Sequence, residues 1–348
     1  MDESRELSTA IRAIRRAALV CRAVQPVVTN DPDRALEKPD RSPVTVADFA
    51  SQALIGRDLL ESFPADTWIA EEGSAVLRSP SVAALRDRVL AEVRSVLGME
   101  AHEVDVARLA SWIDGLPSPG ATPVARVWTL DPIDGTKGFL RGEHYAISLA
   151  LIIDGHLALG AVGCPRLDPS ADDFADPAPL DASGTLVTWT PDTGARVRPL
   201  FLANPKNVGD ADPDRPARVS EIIDLARARL CESVEAAHSS HADSRRIAEQ
   251  LGLRIPPVRI DSQAKYAALA TGRADIYLRM PSRPGYVECV WDHAGGAAIV
   301  AGAGGRVTDL DGAPLDFGRG AKLERNRGIV ATNGHLHDAV LEAVRSLR

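Results

Sequence analysis

Residues 124–136 read Val-Ala-Arg-Val-Trp-Thr-Leu-Asp-Pro-Ile-Asp-Gly-Thr. The first part, 124–130, is an apolar run of the kind that predicts a strand. What ends it is more informative. Asp131 and Asp134 stand three apart across Pro132 and Ile133, where the proline restricts the backbone and Gly135 lets it turn tightly. Thr136 is expected to cap the helix that follows. A turn of this make-up aims both carboxylates and the Ile133 carbonyl into one pocket. Hard divalent cations such as Mg²⁺ take oxygen ligands of this kind.

Other acids stand at the ends of neighbouring elements. Glu71 and Glu72 follow a short strand at 67–70, Asp48 opens a helix over 47–61, and Asp292 precedes the Gly295-Gly296 start of a helix over 292–303. Taken singly, each of these also reads as a cap, a turn former or a solvated surface acid. Gathered together they would repel one another, and two or three Mg²⁺ ions would offset that repulsion and create a site for a phosphate. The chemistry that follows is phosphate-ester hydrolysis by a metal-activated water, with the amides of Gly135 and Thr136 holding phosphate oxygens. Neither a Walker P-loop nor a Rossmann glycine fingerprint is present, and Gly302–Gly305 resembles a glycine-rich loop only superficially.

The rest of the chain supplies the frame. Leu7, Ile11, Ile14, Ala18, Cys21 and Val24 recur at helical spacing and predict an amphipathic helix over 5–28. Strands at 145–153 and 157–162 flank Asp154-Gly155, a strong hairpin turn. A second hairpin is expected at 185–190 and 195–202. From about 218 the pattern alternates: helix 218–229, strand 230–235, helix 241–251, strand 257–260, helix 262–271, strand 274–278 and a last strand at 327–332. The expectation is an α+β domain over 1–195 carrying most of the metal ligands, and an α/β domain over 196–348. Lys and Arg number 40 against 48 Asp and Glu, a net charge of −8 over 348 residues. That balance argues against a nucleic-acid polymer as partner. The four cysteines show no CxxC spacing, and no run of about 18 uncharged apolar residues appears. The expectation is a monomer in the cytoplasm, off the membrane.

At this point a resemblance enters. WTLDPIDGTKGFLRGEHYAISLALIIDG (128–155), AEEG (70–73) and WDHAGG (291–296) resemble the signatures of the inositol monophosphatase-like, lithium-sensitive phosphatase superfamily. SPVTVAD (42–48), HSSH (238–241), DSQAKY (261–266), ADIYLR (274–279) and PLDFG (314–318) are similar to its 3'(2'),5'-bisphosphate nucleotidase branch. The resemblance implies a layered αβαβα sugar-phosphatase fold. It implies Glu71, Asp131, Asp134, Asp292 and the Ile133 carbonyl as metal ligands. Asp48 and Thr136, with Glu71 sharing the role, would activate the water, and Glu72 would stand behind them. His238, Ser262, Lys265 and Arg279 would hold the nucleotide, with His241 as the other choice for the histidine. A substrate with two phosphates needs one on the metals and one held without them; Lys265 and Arg279 are suitable cations, and Ser262 can donate a hydrogen bond. The implied reaction is removal of the 3'-phosphate of adenosine 3',5'-bisphosphate, with 3'-phosphoadenylyl sulfate as second substrate. An inositol mono- or polyphosphate phosphatase, a histidinol-phosphate or fructose-1,6-bisphosphate phosphatase with the same core, and a catalytically silent metal-bound regulatory protein are the competing readings. Lys137 and Arg141 would gate the entrance, and Lys38 would belong to a flap.

Overall fold

The structure, a computed structural model, describes residues 4–30, 36–37, 43–99, 102–115, 125–168, 174–202, 214–234, 241–281, 283 and 285–347. The helices are α1 (Arg5–Asn30), α2 (Val46–Ser62), α3 (Ala83–Leu97), α4 (Val106–Asp114), α5 (Thr136–Arg141), α6 (His241–Gln250), α7 (Ala264–Ala270), α8 (Ala294–Gly302) and α9 (His337–Ser346). The first nine strands are β1 (Leu36–Glu37), β2 (Pro43–Val44), β3 (Thr67–Ala70), β4 (Arg126–Asp134), β5 (Ala146–Ile153), β6 (His156–Cys164), β7 (Thr185–Thr190), β8 (Gly194–Pro199) and β9 (Arg215–Pro216). The remaining five are β10 (Leu230–Glu232), β11 (Val258–Arg259), β12 (Ile276–Arg279), β13 (Arg306–Thr308) and β14 (Ile329–Thr332).

Strands β3 to β9 form one seven-stranded sheet in chain order, parallel only between β3 and β4. A second sheet has the order β11-β10-β12-β14-β13, with β14 antiparallel to both its neighbours. The apolar stripe of α1, from Leu7 through Ile14 and Cys21 to Val28, is buried, and α1 and α2 cover one face of the first sheet. Helices α7 and α8 lie between the sheets, and α6 and α9 cover the far face of the second. The order is therefore αβαβα, as the resemblance implied. Helix α8 can sit in the middle because it is built from small residues. A Cβ on Gly296 would meet the Tyr266 ring at 2.2 Å, and one on Gly295 would meet Ser148 Oγ at 2.4 Å.

Several expectations change. Residues 218–229 are not a helix but an extended run with one 3₁₀ turn at Leu225–Arg227. Their polar groups are spent elsewhere. Val219 N donates to the Ala303 carbonyl at 3.1 Å, and Asn333 Nδ2 donates to the Ile222 carbonyl at 2.8 Å. Residue 195 falls inside the β7–β8 hairpin, and the first sheet continues through β9, because β8 pairs with β7 along its whole length. Helix α9 was not anticipated; it buries Val340, Leu341 and Val344. Lys38, His238, Ser239, Ser240 and the first residue of the expected 124–130 strand lie outside the described residues. Among the described residues no helix is long and apolar enough to cross a membrane.

Candidate active site

The acids converge where β3 and β4 end and α8 begins. Register between β4 and β5 slips between Asp131 and Asp134, at the proline that has no N–H to give the ladder. Asp131 is buried, and its Oδ1 accepts from Ile133 N at 3.0 Å. Gly135 then takes φ +86°, a left-handed conformation that starts α5. Gly135, not Thr136, occupies the cap position, and no side chain caps α5. The Thr136 hydroxyl turns back instead, its one proton within reach of the Ile133 carbonyl at 3.1 Å and of Asp48 Oδ1 at 3.4 Å. Asp48 is itself fixed by a capping box: its Oδ2 accepts from Thr45 N and Thr45 Oγ1, both at 2.7 Å. The chain after Glu71 is gripped by Gln52 of α2, whose Nε2 donates to the Glu72 carbonyl at 2.6 Å while its Oε1 accepts from Glu72 N at 3.1 Å.

Asp131, Asp134 and Asp292 lie within electrostatic reach of one another, and Glu71 acts on all three. Burial pushes the Asp131 carboxyl well above the usual range, and Glu71, Asp134 and Asp292 push it further. Burial lifts Asp134 to about 6, against the pull of Lys265, Arg279 and the Gln263 N–H. Asp292 is raised by burial and by Asp134 and Glu71, with Arg279 opposing. The donor set, carboxylates plus the Ile133 carbonyl, consists entirely of hard oxygens. An open cavity of about 360 Å³ adjoins it, lined in part by Trp68, Ala70, Glu72, Asp114 and Trp291.

Two cations, Lys265 and Arg279, act on Asp134, and Arg279 acts on Asp292 as well. Lys265 is buried on α7, its Nζ donating to the Ile260 carbonyl at 3.1 Å and lying 5.3 Å from the Tyr277 ring centre. Burial lowers its pKa, and Asp134 and Asp261 hold it up. Ser262 does not share a helix face with Lys265, as the sequence suggested. It precedes α7 at φ +71° and packs against Gly135, whose added Cβ would lie 2.9 Å from the Ser262 Cβ. Arg279 pairs with Glu288 at 2.8 Å and donates to Tyr286 Oη at 3.3 Å. His241 starts α6, with Nε2 2.9 Å from the Ser233 carbonyl. Arg141 is ion-paired with Asp261, which ties α5 to the start of α7.

Gln52, Gln263 and Glu288 were missed in the sequence. Glu288, Asp292 and His293 bring ligand atoms within 4.8 Å of one another. Two of the three are satisfied internally: Glu288 faces Arg279, and His293 has Tyr266 Oη at 2.9 Å on Nδ1 and Glu288 at 3.2 Å on Nε2. Only Asp292 among them belongs to the carboxylate group described above.

Fold and site together define a layered phosphatase with a carboxylate centre beside buried Lys265 and half-buried Arg279. The chain belongs to the inositol monophosphatase family, whose model matches residues 2–348. It is 38% identical to a 3'(2'),5'-bisphosphate nucleotidase of Emericella nidulans, over 100% of this chain and 99% of that one. It is 40% identical to one of Oryza sativa, over 98% and 93% of the two chains. Among solved structures, a Thermotoga maritima IMPase matches with TM-score 0.62 at 20% identity, over 99% of this chain and 98% of its own. SuhB of Bartonella henselae matches with TM-score 0.63 at 19% identity, over 98% and 99%. These two share the fold.

Proposed function

We propose that the protein is a Mg²⁺-dependent 3'(2'),5'-bisphosphate nucleotidase. It removes the 3'-phosphate of adenosine 3',5'-bisphosphate to give AMP and phosphate, and it takes 3'-phosphoadenylyl sulfate as a second substrate. The observation that carries this reading is the placement of buried Lys265 and half-buried Arg279 beside a cluster of mutually repelling carboxylates, since both cations act on Asp134. The relatives named as bisphosphate nucleotidases across the full chain point the same way.

Glu71, Asp131, Asp134, Asp292 and the Ile133 carbonyl fit two or three Mg²⁺ ions. When bound there, Mg²⁺ supplies Lewis-acid charge and lowers the pKa of a water. The protein's own part is orientation and proton handling. Asp48 Oδ1 lies 3.4 Å from Thr136 Oγ1, so with the hydroxyl proton turned toward Asp48 a water donating to Thr136 Oγ1 would pass its proton toward that carboxylate. Oδ2 of Asp48 is engaged by Thr45, which keeps Oδ1 aimed at Thr136. Ser262, Lys265 and Arg279 hold the phosphate that is not cut, and Gly135 contributes its amide beside them. A histidine, His238 or His241, completes the nucleotide contacts. The setting is cytoplasmic, in keeping with four cysteines that are all unpaired, and the protein acts as a monomer on a small nucleotide.

The test is phosphate release with Mg²⁺ across adenosine 3',5'-bisphosphate, 3'-phosphoadenylyl sulfate, inositol 1-phosphate, inositol 1,4-bisphosphate and fructose 1,6-bisphosphate. The two adenosine nucleotides should have the highest kcat/KM. Preference for an inositol phosphate would make this an inositol phosphatase instead.

A further inference from the structure

Gln263 sits between the two acidic signatures and makes a hydrogen bond with every polar group it has. Its backbone N–H donates to Asp134 Oδ2 at 2.6 Å. Its side-chain Oε1 accepts from Ser148 Oγ on β5 and from Gly296 N on α8, both at 3.0 Å. Its Nε2 donates to the Trp291 carbonyl at 2.9 Å. The orientation of the amide is not arbitrary. A backbone N–H can only donate and a backbone carbonyl can only accept, so Gly296 and Trp291 together fix which end is oxygen. The side chain is almost fully buried, at 1% exposure.

Its partners flank the site on both sides. Asp134 ends β4, whereas Trp291 and Gly296 bracket Asp292. The backbone around Gln263 is held for this purpose. Ser262 takes a left-handed φ of +71°, a conformation a serine adopts at a cost, and its hydroxyl accepts from Ala264 N at 3.1 Å. Asp261, one residue earlier, is tied to Arg141 and accepts from Val234 N at 3.2 Å. The seam has no slack, because Ser148 packs where a Cβ on Gly295 would go.

We infer that Gln263 is a positioning residue that fixes the distance between Asp134 and Asp292, and through it the affinity of the site for Mg²⁺. The inference rests on the metal reading given above. Its backbone bond orients one carboxylate, while its side chain clamps the loop that carries the other.

The test is Mg²⁺ binding by calorimetry on the full chain without substrate, alongside steady-state kinetics. Gln263→Met keeps the volume and deletes the side-chain hydrogen bonds. It should weaken Mg²⁺ binding about 10-fold and lower kcat by a similar factor, with KM for the bisphosphate within about 3-fold of the parent. Ser148→Ala removes a single bond and should weaken Mg²⁺ binding about 2- to 3-fold. If the methionine variant fails to fold, Ser148→Ala decides the matter by itself. Folded variants that bind Mg²⁺ as tightly as the parent would overturn the inference and leave the metal reading standing. A parent protein that takes up no Mg²⁺ would overturn both.

Discussion

Two buried acidic regions of this protein are built in opposite ways. Asp58 on α2 is buried, with Arg12 at 3.5 Å, Arg57 at 3.1 Å and Arg16 in closer contact. Burial raises its carboxyl, and three guanidiniums draw it back. At the end of β4 the charges that act on buried Asp131 are other carboxylates, Glu71, Asp134 and Asp292, while the protein's cations act on Asp134 and Asp292. Burying an acid therefore says little about function. What separates the regions is whether the chain supplies the compensating charge itself. Around Asp58 it does, and the acid joins two helices. Around Asp131 it does not, and a cation from solution would supply it.

The largest effect expected on this contrast is from Asp134→Asn. Phosphate release should fall at least about 1,000-fold, while circular dichroism stays unchanged and the metal-free protein melts no lower than the parent, because a repelling charge has gone. Unaltered turnover would remove Asp134 from the ligands.

Next is an acid dependence at a third buried polar site, on α9 beside β13 and β14. The His337 ring lies between Thr308 Oγ1 and Thr332 Oγ1, each at 3.0 Å, and burial lowers its pKa to about 4. The unfolded chain takes up that proton near 6.5, the folded chain only near 4. Stability is thus complete above pH 6.5 and is lost as pH falls from 6.5 toward 4. Urea melts over that range should show the loss, and His337→Gln should flatten it.

Asp58→Asn should then cost about 2 kcal/mol, at the lower end for a broken buried pair because its arginines are partly exposed, and leave kcat intact. A loss of kcat without a loss of stability would erase the contrast. Smallest is Lys265→Ala, which should raise KM for the bisphosphate about 10-fold and leave a simple monophosphate nearly unaffected. Equal effects on both substrates would show that Lys265 does not hold the second phosphate.

Local chemistry made much of this legible before any coordinates. The Asp154-Gly155 hairpin turn has φ +50° and +80°, the left-handed pair such a turn requires, and β5 and β6 follow from it. The stripe of α1 and the strand-end acids were readable for the same reason. Residues 218–229 were not, because the groups that hold them extended, Ala303 and Asn333, lie some hundred residues further along the chain. The site divides in the same manner. DSQAKY drew attention to Ser262 and Lys265, whose side chains carry obvious chemistry, and Gln263 passed unnoticed. Its importance lies in Ser148, Asp134 and Trp291, which only the fold brings to it. Lys265 could be read as a cation but not as a buried one beneath Tyr277.

The central claim is that the gathered carboxylates hold the cations that cut the phosphate ester. The most direct measurement is phosphate release from adenosine 3',5'-bisphosphate by the parent protein and by Asp134→Asn, as Mg²⁺ is titrated into chelator-stripped enzyme. The account predicts no release without metal, saturable release by the parent as Mg²⁺ rises, and no recovery by the variant at the same concentrations. Release by the stripped parent, or equal recovery by both proteins, would contradict it.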